Sequence, residues 1–412
     1  MPDMRPSARK SPEGFQPSHL IVHYNEVALK GKNRAWFEEI LRQNIARALA
    51  GECGEEEPRR RGASRVRRLY GRLLVELDDP AGCEDATARL ARVYGIAHLL
   101  PVICVDPSLD ALKGAVGEAL NGEREPRSFA VECKRSTKDF PFTSVDVERD
   151  VGAFVKGGKG WPVDLEEPEL AIRIELVNKE AFLGFERVPG PGGLPTGVTG
   201  KVVCLISGGI DSPVAASRLL RRGATAVYVH FHSYPHTGSE SQDKVRDLVR
   251  RIQPPGRMAK LYMVPFAEIQ RKIVTQCSAP YRVLLYRRFM VRAARSVARR
   301  EGALALVTGD NLGQVASQTL ENLRAIEAAV DLPLLRPLIG MDKLEIIEDA
   351  RALGTFEISI QPHGDCCSLF MPPNPATRST AEDLDAEEKH LDVEAEVARL
   401  VEQSRVEEIR SS

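Results

Sequence analysis

Short apolar runs alternate with longer segments of mixed polarity in the C-terminal half of the chain. Four of these runs predict buried strands, at residues 202–206, 226–231, 260–264 and 304–309, with helix-length segments between them. Repeated strand–helix units predict a doubly wound parallel sheet, in which ligands bind beyond the carboxyl ends of the strands. We therefore predict an α/β domain over residues 201–380.

The N-terminal half has a different pattern, in which short strands and helices follow each other in mixed order. This mixture predicts two small α+β domains, at residues 18–80 and 81–188. Residues 189–200 are rich in Gly and Pro and are predicted to be a linker, and the polar residues 1–17 a disordered tail. Predicted strands lie at 19–23, 69–77, 97–105, 128–133, 171–177 and 179–186, and helices at 36–49, 84–94, 109–120 and 145–156.

The run Ser207-Gly-Gly-Ile-Asp-Ser212 directly follows the first strand of the predicted parallel sheet. Ser212 is a favourable N-cap residue and Pro213 suits the first helical position, so we expect a helix to begin there. The free N–H groups of a helix N-terminus, approached through a glycine turn, form a phosphate cradle. No Gly-Lys-Ser/Thr follows the turn and the spacing is not GxGxxG, which excludes two common nucleotide motifs.

This loop resembles the pyrophosphatase loop (PP-loop) of ATP-pyrophosphatases, which split ATP between its α and β phosphates and activate a carbonyl oxygen as an adenylate. A second segment, residues 308–319, also follows a strand and is expected to open a helix. In it Gly309 permits close backbone approach, and Gln314, Ser317 and Gln318 offer neutral hydrogen-bonding groups.

Segments across most of the chain resemble the tRNA 4-thiouridine synthetase (ThiI) family. Residues 23–34 match its opening motif, with His23 in place of the usual Arg, and residues 84–187 resemble a THUMP domain, which binds the tRNA 3′ end. The resemblance implies a C-terminal PP-loop pyrophosphatase domain preceded by ferredoxin-like and THUMP domains. An acidic helical tail is expected at 381–412. Further matches lie at 338–346, 354–355, 359–362 and 365–367.

The resemblance also implies roles for single residues, with ATP and Mg²⁺ as cofactors. Asp211 would orient Mg²⁺, and Lys343 would neutralise charge on the adenylate. Arg287 would contact the nucleotide, and Gly309 and Gln318 would border its base or ribose. The phosphates would lie on Ser207, Gly208, Gly209, Asp211 and Ser212, and the nucleoside on Leu205, Ile206, His230 and Phe231.

The adjacent Cys366 and Cys367 are the predicted sulfur carriers, because an activated thiolate can hold a persulfide. The motif does not decide which of the two carries it. In an alternative reading, Cys277 joins this pair in ligating an iron–sulfur cluster. Longer family members carry a rhodanese domain, which we do not find before Ser412. We therefore expect a cysteine desulfurase to supply the sulfur, either directly to the PP-loop domain or through a separate carrier.

The total charge is nearly balanced, with 57 Lys and Arg against 58 Asp and Glu, so only its distribution is informative. Two arginine-rich stretches, at 59–72 and 282–300, suggest a bound polyanion or else solvated helix faces. Arg288, Arg292, Arg295 and Arg299 share one helix face and are predicted to contact tRNA phosphates. By contrast, residues 382–408 are acidic.

The chain has eight cysteines, no recognisable signal peptide and no apolar run of membrane-spanning length. We therefore expect a cytoplasmic protein with reduced thiols and no membrane partner. The family resemblance suggests a homodimer and leaves open a role in making the thiamine thiazole. The predicted function is ATP-dependent 4-thiolation of tRNA uridine. The alternatives are another PP-loop tRNA thiolase with 2-thio products, or a catalytically idle tRNA-binding protein.

Overall fold

A computed structural model of the 412-residue chain describes residues 11–50, 65–236, 238–362 and 370–411. The chain forms two compact units, Met1–Pro195 and Thr196–Ser412. The division therefore falls inside the predicted linker. The main chain of Gly190 and Gly192 bonds to the N-terminal unit, and that of Gly197 and Val198 to the C-terminal unit. In the described part of the chain, none of the helices has the length and apolarity needed to cross a membrane.

The N-terminal unit is built on an eight-stranded sheet in the order β2-β3-β1-β4-β7-β6-β5, with β8 paired to β4. Its elements are β1 (His19–His23), α1 (Arg34–Leu49), β2 (Arg65–Leu69), β3 (Arg72–Glu76), α2 (Cys83–Leu90), β4 (His98–Val105), α3 (Leu109–Ala119), β5 (Phe129–Arg135), α4 (Ser144–Lys159), β6 (Leu170–Val177), β7 (Glu180–Gly184) and β8 (Val188–Pro189).

Strand β4 joins the two halves of this sheet, because it pairs antiparallel with β1 on one side and with β7 on the other. Each half has its own helix pair over its own core. Leu41 and Ile45 of α1 belong to one apolar cluster, and Val116 of α3 and Val151 of α4 to another. The two predicted α+β domains therefore share one continuous sheet.

Two details of the N-terminal unit differ from the sequence predictions. The predicted strand at 69–77 is wrong at its start. Leu69 ends β2 and Arg72 begins β3, with a tight turn in which Gly71 has a left-handed φ of 77°. Residues 1–10 of the predicted disordered tail lie outside the described residues. Phe15, also in the predicted tail, packs edge-on against Phe185 with ring centroids 4.8 Å apart, so this part of the tail contacts the folded unit.

The C-terminal unit is an α/β domain with a six-stranded sheet in the order β13-β12-β9-β10-β11-β14. Its elements are β9 (Lys201–Leu205), α5 (Asp211–Arg221), β10 (Thr225–His232), α6 (Glu240–Ile252), β11 (Met258–Pro265), α7 (Ala267–Gln276), α8 (Arg282–Glu301), β12 (Ala305–Val307), α9 (Leu320–Glu327), β13 (Leu334–Leu335), α10 (Lys343–Leu353), α11 (Phe356–Ser359), α12 (Ala381–Glu388), α13 (Val393–Glu402) and β14 (Arg405–Arg410).

The predicted doubly wound parallel sheet is confirmed. Strands β9 to β13 are all parallel, and β9 has β10 on one side and β12 on the other. The direction of winding therefore reverses at β9, which creates a crevice at the carboxyl end of this strand. The PP-loop lies directly after β9.

The C-terminal acidic segment differs from the predicted helical tail. It begins with two helices, α12 and α13, but Arg405–Arg410 then forms β14, which pairs antiparallel with β11. Ile409 is buried, and the Glu407 carboxylate receives two hydrogen bonds from Arg246 of α6. The segment thus completes the sheet edge, because its main chain satisfies the outer hydrogen-bonding groups of β11.

Candidate active site

The PP-loop is shaped by its own two serine side chains. The main-chain N–H of Ser207 donates to Ser212 Oγ at 2.9 Å, and the N–H of Gly209 donates to Ser207 Oγ at 3.3 Å. Helix α5 begins at Asp211, so the predicted N-cap role of Ser212 is wrong. Ser212 lies in the first turn, where its hydroxyl reaches back and braces the loop. Gly208 and Gly209 lie between these contacts, at the helix N-terminus.

Asp211 is held by two side chains that come from distant parts of the sequence. Its Oδ1 lies 2.5 Å from Lys343 Nζ, and its Oδ2 accepts a hydrogen bond of 3.1 Å from Gln314 Nε2. Lys343 is placed by the start of α10, where Asp342 and Glu345 form a capping box. The structure therefore brings together the two residues that were predicted to act on phosphate and adenylate charge.

Gly309 closes the space beside this loop. A Cβ at this position would lie 2.8 Å from the main-chain nitrogen of Ser212 and 3.0 Å from the main-chain carbon of Asp211. Segment 308–319 thus packs directly on the start of α5. It contains only a short 3-10 turn, Ala316–Gln318, and helix α9 begins after it with Thr319 as N-cap.

The residues that were predicted to line the nucleoside lie together at the ends of β9 and β10. Their side chains, however, point to different faces of the sheet. His230 Nδ1 lies 3.0 Å from the carbonyl oxygen of Ile206, and both side chains are buried. Phe231 points to the other face, where it packs edge-on against Phe266 in the apolar core, and Leu205 packs on the same cluster. A nucleoside at this edge would therefore meet Phe231 through its main chain.

Asp310 is the residue of this site that sequence reasoning missed. Its buried carboxylate is bonded by Arg287 and by Gln318 Nε2 (3.3 Å) at Oδ1, and by Thr308 Oγ1 (2.8 Å) at Oδ2. Arg336 Nε adds an ion pair at 3.4 Å. Burial alone would raise the pKa of Asp310, but the charge of Arg287 and these hydrogen bonds hold it below its usual value. The sequence signal that could have identified Asp310 is a carboxylate that closely follows a predicted parallel strand.

The predicted RNA-binding stripe of α8 is wrong for Arg288 and Arg292. Arg288 is 2% exposed and is bonded to Asp385 and Glu388, and Arg292 makes a two-point contact with Glu388 at 2.5 and 2.8 Å. Arg295 and Arg299 pair with Asp331. The acidic segment therefore neutralises Arg288 and Arg292 within the unit, and Asp331 pairs with the other two arginines. The other arginine-rich stretch is residues 59–72. Arg59, Arg60 and Arg61 lie outside the described residues, and Arg67 and Arg72 pair with glutamates.

The predicted sulfur carriers, Cys366 and Cys367, lie outside the described residues. The residues that precede them are tied to the PP-loop, because Ser359 Oγ donates to the carbonyl of Gly209 at 3.4 Å. The residues that follow are tied to α9 and its N-cap through two further hydrogen bonds. These join Thr319 to the carbonyl of Thr377 (2.8 Å) and Asn322 to that of Ala376 (2.9 Å).

Cys277 has the surroundings of a structural thiol. It is buried, and its Sγ donates to the carbonyl oxygen of Glu387 at 3.7 Å. Burial, together with Glu387 and Glu388, raises the pKa of Cys277 to about 11, so the thiol is protonated at neutral pH. Among the described residues, His, Cys, Asp and Glu side chains form no group of three that could hold a metal ion.

Comparison with known proteins assigns the chain to a family. A probable tRNA sulfurtransferase of Thermus thermophilus is 45% identical over 387 residues, which cover 94% of this chain and 93% of that protein. The chain belongs to the ThiI family of tRNA sulfurtransferases. Residues 19–99 match the ThiI ferredoxin-like domain, 107–186 the THUMP domain, and 197–393 the family described as thiamine biosynthesis protein (ThiI).

Other ThiI relatives agree over similar lengths. A probable tRNA sulfurtransferase of Moorella thermoacetica is 43% identical over 93% of this chain and 95% of that protein. A crystal structure of a 4-thiouridine synthetase–RNA complex with bound ATP superposes with a TM-score of 0.84 and 36% identity. It covers 96% of this chain and all of the solved one. The architecture of ferredoxin-like, THUMP and PP-loop domains is therefore that of the family.

Proposed function

We propose that this tRNA sulfurtransferase uses ATP to activate a uridine of tRNA, at position eight, and replaces its O4 with sulfur to give 4-thiouridine. One observation carries the proposal. The Ser207–Ser212 loop lies at the switch point of a parallel sheet, with Asp211 and Lys343 in contact at its helix N-terminus. A similar chain has been solved as a 4-thiouridine synthetase–RNA complex with bound ATP.

The site residues fit ATP as the co-substrate. The N-terminus of α5 offers main-chain donors to phosphate. Among the described residues, the buried Gln318 Oε1 has no hydrogen-bond partner, which is an acceptor that a nucleotide would satisfy. Lys343 provides a cation beside the loop. Asp211 fits Mg²⁺ as a single protein ligand, because this ion is often held by one carboxylate together with substrate phosphates and water. When bound, Mg²⁺ would supply charge neutralisation at the phosphates.

The proposed reaction has two stages. In the first, uracil O4 attacks the α-phosphorus of ATP, and pyrophosphate leaves with the electrons of the broken P–O bond. The main-chain N–H groups of the PP-loop and Lys343 would stabilise the charge that develops on the phosphate oxygens. In the second, the terminal sulfur of a cysteine persulfide attacks C4, and AMP leaves with the electrons of the broken C–O bond.

We propose Cys366 or Cys367 as the persulfide carrier. Attack on C4 leaves the uridine joined to this cysteine through a disulfide. A second thiol then attacks the Sγ of the carrier, forms a protein disulfide and releases 4-thiouridine, and an external thiol reductant restores both cysteines. Six residues lie between Ser359 and Cys366, so the seven steps from one Cα to the next give a reach of up to about 24 Å. Because Ser359 bonds to Gly209, this reach supports a carrier that approaches the PP-loop.

The remaining parts of the proposal concern partners and setting. A cysteine desulfurase is the proposed source of persulfide sulfur, and a homodimer is the proposed assembly. We propose the cytoplasm as the location, because tRNA is the substrate. A contribution to sulfur supply for the thiamine thiazole is a further proposal from family membership.

Mass spectrometry of tRNA nucleosides from a deletion strain tests the product. We expect 4-thiouridine to disappear and to return with the wild-type gene. Loss of 2-thio nucleosides with unchanged 4-thiouridine would favour another thiolase, and no change would favour a non-catalytic tRNA-binding protein. Complementation with Cys366→Ala and Cys367→Ala tests the carrier, with the exposed Cys104→Ala as matched control. Full activity of both test variants would contradict the persulfide step.

A further inference from the structure

Three hydrogen-bond donors and one further cation, from four separate segments, converge on the carboxylate of Asp310. Thr308 directly follows β12, and Arg287 lies on α8. Gln318 lies in the 3-10 turn before α9, and Arg336 follows β13. Asp310 itself is only 3% exposed. A buried carboxylate is stable as an anion only where charged and hydrogen-bonding partners surround it, and this arrangement provides them.

The ionised carboxylate decides how the Gln318 amide is turned. A carboxylate accepts hydrogen bonds and cannot donate them, so Gln318 has to present its NH₂ group to Asp310. The opposite orientation would place the amide oxygen against a negative charge. Amide orientation is assigned from such networks, and here the network permits one choice.

With the NH₂ group bound to Asp310, the Gln318 carbonyl oxygen faces away from it. Gln318 is 8% exposed, and its Oε1 has no hydrogen-bond partner among the residues that the structure describes. A buried acceptor without a partner costs free energy unless a bound molecule supplies a donor. The position of this oxygen is relevant to the nucleotide, because Gly309 in the same segment packs on the start of α5.

Asp310 also restrains Arg287. One guanidinium nitrogen of Arg287 donates to Asp310, and the other donates to Ser317 Oγ at 3.2 Å. Arginine loses considerable rotamer freedom when it is ordered. A guanidinium that is already held in the free protein therefore binds an anionic ligand at a lower entropic cost.

We propose that Asp310 is a positioning residue for the nucleotide: it holds Arg287 in place and turns Gln318 so that its carbonyl oxygen accepts a hydrogen bond from the bound nucleotide. This inference rests on the proposed function only in taking ATP as that nucleotide. The donor is either a ribose hydroxyl or the adenine amino group, since both are donors on the nucleoside. The chemistry is the same in the two cases, and nucleotide analogues distinguish them.

The test measures ATP binding by isothermal titration calorimetry in the absence of tRNA. The variants are Asp310→Asn and Gln318→Ala, each assayed with ATP, 2′-deoxy-ATP, 3′-deoxy-ATP and purine riboside triphosphate, which lacks the amino group. We expect both variants to bind ATP about tenfold more weakly, the effect of one buried hydrogen bond. One analogue, the one that lacks the donor, should bind the wild type about tenfold more weakly and be affected no further by Gln318→Ala.

The matched control is Glu301→Gln, which removes the charge of another carboxylate of this unit. Glu301 pairs with Lys260 and Lys201, and Lys201 begins β9, so this cluster lies at the end of the sheet opposite the PP-loop. We expect it to bind ATP and all analogues like the wild type. A purely structural role for Asp310 would lower the melting temperature without changing the order of preference among the analogues.

Two results would overturn the inference. The first is unchanged ATP affinity in either Asp310→Asn or Gln318→Ala. The second is an equal loss for ATP and all three analogues in Gln318→Ala, because then no nucleotide donor meets Oε1. Because the inference needs Oε1 to meet the nucleotide, unchanged ATP affinity in Gln318→Ala overturns it even if Asp310→Asn fails to fold. A product other than 4-thiouridine would contradict the proposed function but not this inference.

Discussion

At the scale of single residues, Lys244 connects α6 to the segment that precedes the predicted sulfur carriers. The side chain is buried, and its ammonium donates to the carbonyl oxygens of Ser359 and Gln361, each at 2.6 Å. Ser359 in turn contacts the PP-loop at Gly209. Lys244 therefore contributes to the position of the residues just before Cys366 without lying in the nucleotide site.

This arrangement predicts that Lys244→Met separates the two stages of the reaction. We expect tRNA-dependent exchange of labelled pyrophosphate into ATP to stay within about twofold of wild type, since the PP-loop is unchanged. Formation of 4-thiouridine should fall by about tenfold to a hundredfold, because a small misplacement of a reacting group is enough for such a loss. Both rates are measured on the same purified tRNA.

Arg251→Met is the matched control for this experiment. Arg251 also lies on α6 and donates to a main-chain carbonyl, that of Leu353 at the end of α10. It should leave both rates near those of the wild type. An equal loss of exchange and thiolation in Lys244→Met would contradict a separate role in sulfur transfer.

At the scale of elements, the acidic C-terminal helix α12 neutralises two arginines of the basic helix α8. Glu388 of α12 lies between Arg288 and Arg292 and is itself buried. Lys272 of α7 and Arg399 both bond to Glu396 of α13. Part of the basic stretch 282–300 is therefore paired with the acidic segment 382–408.

Glu388→Gln is predicted to destabilise the C-terminal unit by about 3 kcal/mol, because it leaves the buried Arg288 and the half-buried Arg292 without their shared anion. The measurement is urea unfolding followed by far-UV circular dichroism. Glu402→Gln, an exposed glutamate of α13, is the control and should change stability little. A loss below about 0.5 kcal/mol in Glu388→Gln would show that the pair is not needed for packing.

At the scale of the whole molecule, the N-terminal unit has a built-in sensitivity to acid. His23 and His98 stack at 4.2 Å, and His23 Nε2 lies 2.7 Å from Glu175. Burial, followed by the charges of Arg72, Lys134 and Arg187, lowers the pKa of His23 to about 2. Burial, followed by His23 and nearby cations, lowers the pKa of His98 to about 2. Both imidazoles are therefore neutral in the folded unit.

The unfolded chain takes up protons on these histidines below the ordinary pKa of 6.5, whereas the folded unit does so only near pH 2. Their contribution to stability is thus complete above pH 6.5 and is lost progressively as the pH falls from there. We predict that the free energy of unfolding of this unit falls between pH 6.5 and pH 4. His98→Gln, which does not titrate, should make the fall shallower.

Tryptophan fluorescence isolates this measurement, because both tryptophans of the chain, Trp36 and Trp161, lie in the N-terminal unit. Urea unfolding is followed at several pH values for wild type and His98→Gln. Glu388→Gln should leave the fluorescence transition unchanged, which serves as a control. Identical pH dependence in wild type and His98→Gln would contradict the prediction.

The sequence by itself determined the features that depend on local patterns. Apolar runs located β9 to β12, and the Gly- and Pro-rich segment contained the division between the units. The PP-loop could be found because six adjacent residues carry the motif. Its neighbour Gly309 could be expected nearby because its segment follows another parallel strand, whereas Lys343 was expected there only from the family resemblance.

Only the tertiary structure decided which distant groups meet. The sequence shows the charges of Arg288 and Glu388 but not that they neutralise each other across two helices. It shows Asp310 beside Gly309 but not the three donors and the further arginine around its carboxylate. It shows a charged C-terminus but not that β11 leaves an edge for β14 to fill. A local pattern records the periodicity of neighbouring residues, whereas ion pairs and sheet edges depend on how separate elements pack together.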